Sequence, residues 1–301
     1  VLCIPIFAIA GCTNNDVANA ANQVTTNANG AYSIDTKTTT PEGKLDVYML
    51  DIGQGDAILL KVGDEYSMID TGDIEHRENI VAQLKAMGVT KLKNIIITHP
   101  HADHMGGFYA IAKAMPIEHV YDDGIAVDNN MYKTYEKWIE KNKIQRTTLR
   151  SGDVVDFGHG AVFVVYAPWV EPLTDKKGET DLNNNSIVGK LIFGKFSMLF
   201  TGDAELQEEK KLIKEQNSRL FSRILKVGHH GSRTSSSEDF LKSIKPESAL
   251  ISNGMYNKYG HPHDVTLRRL QENNIAIYRT DTMGRIHIST DGNEWQITTE
   301  R

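Results

Sequence analysis

The rhythm of hydrophobic and polar positions divides the chain into three. Residues 1–10 form an apolar run, residues 13–43 show no periodic apolar face, and from Lys44 short apolar runs alternate with stretches of helical spacing. Residues 45–50 alternate apolar and polar, and residues 57–62 and 66–69 follow as short apolar runs. Together they predict a strand meander joined by glycine-containing turns. Ile80, Val81, Leu84 and Met87 fall at helical spacing and predict a helix over 78–87, stopped by Gly88. Residues 94–98 read as a buried strand, 108–115 as a helix, 117–121 as a strand and 131–142 as a helix. Strands are predicted over 161–167, 186–193 and 196–201, a helix over 205–215 and a strand over 223–227. A helix over 236–244, a strand over 249–252 and a helix over 264–273 follow, with strands over 275–279, 285–289 and 294–298 at the end. Two runs of strands, each with helices attached, predict an α/β arrangement of two sheets packed face to face with helices outside.

The first two segments read as an address and a tether. Residues 1–10 are too few to cross a bilayer and suit the apolar core of a signal peptide. Ile9-Ala10-Gly11-Cys12 resembles a bacterial lipobox, which makes Cys12 the predicted site of lipidation. The expected organisation is therefore a signal-peptide remnant over 1–11, a lipidated cysteine with a structureless tether over 12–43, and one large domain over 44–301. The expected location is extracytoplasmic, either anchored by lipid to the outer face of the bacterial cell membrane or secreted.

Composition narrows the chemistry. The only two cysteines of the 301 residues are Cys3 and Cys12, so the domain has no disulfide framework and no thiolate metal site. Formal net charge is −6; setting aside Asp16, Asp35, Lys37 and Glu42 of the tether leaves −4 on residues 44–301. That balance excludes capture of long nucleic acid by bulk charge but leaves room for a local basic groove.

The densest chemistry is Thr98-His99-Pro100-His101-Ala102-Asp103-His104, directly after an apolar strand. In an extended segment residues i and i+2 share a face, so His99 and His101 can converge on one ion. A turn after them can present Asp103 and His104 to a second ion. Other strands end in potential ligands too: Asp70 in Ile-Asp-Thr-Gly, Asp203 in Thr-Gly-Asp, and His229 with His230 in Gly-His-His-Gly. Nitrogen and oxygen donors without sulfur suit zinc, manganese or iron. An aspartate placed as Asp203 is could bridge two ions at the separation of about 3.5–4 Å used in two-metal hydrolysis.

His99-Pro100-His101-Ala102-Asp103-His104, with Ile69-Asp70-Thr71-Gly72 before it and Thr201-Gly202-Asp203 after it, resembles the metallo-β-lactamase fold over residues 44–301. Asp51-Ile52-Gly53-Gln54-Gly55-Asp56, the asparagines 183–185, residues 226–232 and Tyr259-Gly260-His261-Pro262-His263 make it similar to the hydrolase domain of ComEC-type DNA-uptake proteins and their secreted stand-alone relatives. The resemblance implies a four-layer αββα sandwich with two divalent metal ions, zinc above manganese or iron. It implies that His99 and His101 hold the first ion, that Asp203 bridges, and that Asp103, His104 and His229 hold the second. Asp70 would orient the histidines from behind. Asp103 and His261 are the candidates for moving protons, His261 also for phosphate contact. Ser232, Arg233 and Asn183 are candidates for phosphate contact. Many members of the wider family have one more histidine before the bridging aspartate; here that interval holds only His119 and His159, and asparagines stand where the ligand would be expected.

The leading expectation is a metal-dependent phosphodiesterase or nuclease using metal-activated hydroxide. Its substrate would be DNA, a nucleotide or a small phosphodiester, and a DNA-uptake channel would be a partner. A phosphorylcholine-type esterase, or a hydrolase of thioesters or lactams, is the alternative within the fold. A surface lipoprotein that binds metal without catalysis is the third reading.

Overall fold

The computed structural model describes residues 24–26, 32–34 and 41–301. The chain divides into two units, Val1–Thr39 and Thr40–Arg301. In the first unit Val24–Thr26 pairs antiparallel with Tyr32–Ile34, within the stretch expected to lack structure. Their β-branched and aromatic residues favour extended backbone, a local signal outweighed in the sequence by the surrounding asparagines and alanines. Cys3, Cys12 and the apolar run 1–10 lie outside the described residues.

The second unit is built on two mixed sheets. The eight-stranded sheet runs Trp295–Thr299, Ile286–Thr290, Leu45–Met49, Ala57–Val62, Glu65–Thr71, Leu92–Ile96, Ile117–Asp122, Gln145–Thr148. The seven-stranded sheet runs Ala276–Arg279, Ser248–Ile251, Ile224–Lys226, Phe196–Phe200, Val188–Phe193, Ala161–Ala167, Val154–Gly158. Period-two alternation sorts the side chains. Val47, Leu60 and Ile96 of the first sheet meet Phe163, Leu191, Phe200 and Leu250 of the second in one buried cluster. Leu59, Met68 and Ile95 point the other way, against Ile80 and Leu84 of helix Arg77–Ala86 and Tyr135 of helix Asn130–Asn142. Helices Leu206–Gln216, Glu238–Ile244 and Asp264–Glu272 accompany the second sheet, completing the expected αββα order. Among the described residues no helix is long and apolar enough to cross a membrane.

Two strands escaped the sequence pattern. Gln145–Thr148 is a largely exposed polar edge strand with no apolar alternation to reveal it. Val154–Gly158 buries Val155 and Phe157 but is only five residues long, ending on a glycine. Both are edges, where pairing rather than burial defines the strand.

Several strands stop short of the predicted ends, and the freed residues matter. Leu92–Ile96 gives way to an irregular segment before His99, and Ile224–Lys226 runs into a turn holding His229 and His230. One edge of the sandwich thus collects the strand-end loops. Gly55 has φ +116°, and a Cβ there would stand 2.4 Å from the Asp103 carbonyl oxygen. That close approach allows the Asp56 N–H to donate to the same oxygen at 3.0 Å, locking one loop on the other.

Candidate metal centre

Asp203, 2% exposed, stands between two groups of side chains. Its Oδ2 lies 3.8 Å from His99 Nε2, whose neighbour is His101 Nδ1 at 2.9 Å. Its Oδ1 lies 3.2 Å from His104 Nε2 and 3.6 Å from His230 Nε2, and His230 Nε2 is 3.3 Å from Asp103 Oδ2. The potential ligand sets are therefore His99, His101, Asp203 and Asp103, His104, Asp203, His230.

The histidine of the second set is His230, not His229. Both have positive φ, 49° and 53°, between Gly228 and Gly231. This left-handed turn sends the two rings different ways. His229 stands on the Oδ2 side of Asp203 at 3.7 Å, outside either set, with Nδ1 bonded to Glu205 Oε1 at 3.0 Å.

The ring orientations are fixed from behind. His230 Nδ1 donates to the Ser252 carbonyl at 2.9 Å, which leaves the Nε2 lone pair facing the centre. His104 Nδ1 bonds Asp70 Oδ2 at 2.8 Å with the same consequence. Asp70 is fully buried, sits at φ 58°, and accepts from Thr98 N at 2.7 Å and Thr98 Oγ1 at 2.8 Å. His99 Nδ1 is flanked by Thr98 Oγ1 at 3.2 Å and Ser186 Oγ at 3.3 Å. The asparagines 183–185, which stand where a further histidine would be expected, form a short turn just before Ser186 and are in neither ligand set. His119 instead stacks on Tyr121 with ring centroids 4.1 Å apart, and His159 is in a turn at φ 51°.

Three buried polar atoms, His104 Nε2, His230 Nε2 and Asp203 Oδ1, have no hydrogen-bond partner. Buried polar atoms are rarely left so, and a cation at their meeting point would satisfy all three. Around the second set the field favours positive charge as well, whereas burial and His104 hold His99 and His101 of the first set below the usual histidine range. Burial pushes the His230 imidazole down, but Asp203, Asp56 and Asp103 outweigh it and lift the group to about 10. His104 is likewise penalised by burial and raised well above the usual histidine range by Asp203 and Asp70. The donor set fits two divalent cations. Such ions would lower the pKa of bound water from about 15.7 to about 7 and polarise an electrophile.

Two residues that the sequence reading left without a role support the second set. Asp56, buried against His230 with 3.5 Å between Oδ1 and Nδ1, pairs with fully buried Lys226 at 2.7 Å. Burial raises the Asp56 carboxyl, but Lys226 and His230 hold it at about 2. A lysine inside an apolar strand and an aspartate opening another were the available signals.

The centre floors a cleft of about 340 Å³ walled by Gln54, Asn183, His229, Tyr259 and His261. Asp103 faces it; burial raises its carboxyl, but His230 and His104 hold it far below the usual range, so it is ionised and available as a metal ligand. His261 is pushed down to about 4 by burial and by His230, His229 and His263. It is therefore neutral near pH 7 and does not hold a proton to give to a leaving oxygen. Ser232 is buried and spends its hydroxyl on Thr234 Oγ1 at 2.8 Å, so it holds the loop and does not line the cleft. Arg233 is exposed and lines a neighbouring groove instead. Asn183 lines the cleft, its Oδ1 buried without a partner. His263 precedes helix Asp264–Glu272 and accepts from the Arg233 N–H at 3.0 Å, so it fixes the loop.

Comparison with known proteins places the fold and the family. YhfI from Bacillus subtilis, a metallo-β-lactamase fold protein, superimposes with TM-score 0.56 at 11% identity, covering 81% of this chain and 100% of that one. The competence protein ComA of Neisseria gonorrhoeae is 30% identical over 82% of this chain and 32% of its own length. ComE operon protein 3 of Bacillus subtilis is 30% identical over 81% of this chain and 33% of its own. The chain thus spans about a third of the length of these relatives. The metallo-beta-lactamase superfamily model matches residues 50–254, and the chain belongs to that superfamily.

Proposed function

We propose that the protein is a metal-dependent phosphodiesterase acting on nucleic acid outside the cell membrane. The observation that carries the reading is the position of Asp203, with Oδ1 facing one ligand set and Oδ2 the other. Paired cations on either side of a bridging carboxylate suit in-line displacement at phosphorus, where attacking and leaving oxygens both need stabilisation. The first set supplies only three side chains, which leaves room for a phosphoryl oxygen. Ionised Asp103 and neutral His261 then flank the reacting group. The relative named as a competence protein supports a nucleic-acid substrate. Lipidation at Cys12 and cooperation with a DNA-uptake channel belong to the same proposal. Incorporation of labelled palmitate that persists in Cys12→Ser would refute the anchor.

The test is a panel on the full chain supplied with zinc or manganese: bis-p-nitrophenyl phosphate, a single-stranded oligonucleotide, a phosphorylcholine ester, a thioester and nitrocefin. Phosphodiester turnover should dominate, stop with chelator, and fall by about 10²-fold or more in Asp103→Asn. Turnover of the thioester or nitrocefin without phosphodiester turnover would contradict the reading.

A further inference from the structure

Helix Leu206–Gln216, which begins just after Asp203, has the sequence LQEEKKLIKEQ and hides two of its three acids. Glu208 and Glu209 are 0% and 1% exposed and turn inward. Glu209 accepts from the backbone N–H groups of Ser236 and Ser237. Both Glu208 oxygens lack partners, and burial, then Asp181 and Glu209, push its carboxyl well above the usual range. The outward side is left to Lys210, Lys211 and Lys214, which line a groove of about 770 Å³ with Arg233. Among the described residues none of these four cations has a carboxylate within 4.0 Å. The acids of the groove are engaged elsewhere: Glu205 by His229 and Thr234, each at 3.0 Å, and Glu215 by the Trp169 indole N–H. Glu205 is also the wall shared with the metal centre, since its partner His229 lines the cleft. The groove therefore opens beside the place where a scissile bond would lie. Its floor is apolar, with Leu206 44% exposed and Leu173 beside it.

We propose that this groove is the track for an unpaired nucleic-acid strand on one side of the scissile linkage, an inference that rests on the phosphodiesterase reading. Lys210, Lys214 and Arg233 meet phosphates, with Lys211 over the Trp169 ring at 4.0 Å beside them, while Leu173 and Leu206 take the bases. Lys210 and Lys214 are one helical turn apart, about 6 Å along the axis at 1.5 Å per residue, a spacing that suits neighbouring phosphates of an extended strand. An apolar floor between cations fits unpaired bases, because in a duplex the base faces are already stacked.

The experiment measures binding of a nuclease-resistant phosphorothioate single strand of about ten nucleotides to the metal-loaded full chain, by fluorescence anisotropy across a salt titration. Each phosphate contact to a single strand contributes about 0.7 to the slope of log affinity against log salt. Lys210→Ala/Lys214→Ala should lower that slope by about 1.4, equivalent to about 25-fold weaker binding at about 0.1 M salt. Lys85→Ala/Lys137→Ala removes the same charge from helices packed on the other sheet and should change binding less than about threefold. Equal losses in the two variants, or no loss in the first, would overturn the groove. A matching duplex bound as tightly, with the same loss, would overturn the assignment to an unpaired strand. Absence of phosphodiester turnover with the lysine-dependent binding intact would refute the catalytic reading and leave the groove standing.

Discussion

Asp70→Asn isolates the part of the account that joins fold to chemistry. Asp70 is fully buried and its two oxygens accept three hydrogen bonds, from Thr98 N, Thr98 Oγ1 and His104 Nδ1. An asparagine of the same shape can keep only one acceptor oxygen. If its amide nitrogen replaces Oδ2, it faces the His104 Nδ1–H; if it replaces Oδ1, it faces the Thr98 N–H. Either way two donors meet in a dry site, which costs about 1–3 kcal/mol. At about 2–4 °C per kcal/mol for a domain of this size, the melting temperature should fall by about 2–12 °C. The effect on metal is separate. His104 loses the acceptor that keeps its proton on Nδ1 and its lone pair on Nε2, and loss of such a partner typically weakens metal binding by about 10–100-fold. Competition with a chromophoric chelator at fixed pH reads that factor, while a thermal melt of the metal-free protein reads the structural cost. Unchanged affinity together with a lowered melting temperature would refute the orienting role and leave Asp70 a purely structural residue.

Two other perturbations test the charges around the centre. Lys226→Met leaves the Asp56 carboxylate buried without its partner, and breaking such a pair costs about 3–5 kcal/mol; a loss under about 1 kcal/mol in denaturant unfolding would show that Asp56 is not ionised. The pH dependence follows from His230, raised to about 10 in the folded metal-free protein against about 6.5 unfolded. A raised histidine stabilises fully below about pH 6.5 and ceases to do so by about pH 10, so the metal-free protein should lose stability across that window. Metal must displace the same proton, so affinity should rise about tenfold per pH unit there for each proton released. Affinity independent of pH would show that His230 is neutral before metal arrives.

Much of the centre is legible in the sequence because its ligands are local. His99, His101, Asp103 and His104 fall within six residues, and the chain geometry alone brings them together. Asp70 and Asp203 are legible as polar residues ending apolar strands, since parallel strands deliver their ends to one edge of a sheet. The choice between His229 and His230 is not legible. It depends on two consecutive left-handed residues, a conformation that no side-chain pattern announces. Asp56 and Lys226 are visible as motif residues, but their burial as a pair arises only when strands Ala57–Val62 and Ile224–Lys226 from different sheets face each other. The lysine groove is hidden by arithmetic. Leu206–Gln216 carries three acids and three lysines, and only the fold reveals that two of the acids turn inward.

The central claim is that the chain holds two neighbouring cations through His99, His101 and Asp203 on one side and Asp103, His104, Asp203 and His230 on the other. Metal content per chain, measured by elemental analysis after equilibration with zinc or manganese, tests it most directly. The account predicts two ions in the parent protein and in His229→Ala, and loss of one in His230→Ala. No bound metal, or an ion lost with His229→Ala and kept with His230→Ala, would contradict it.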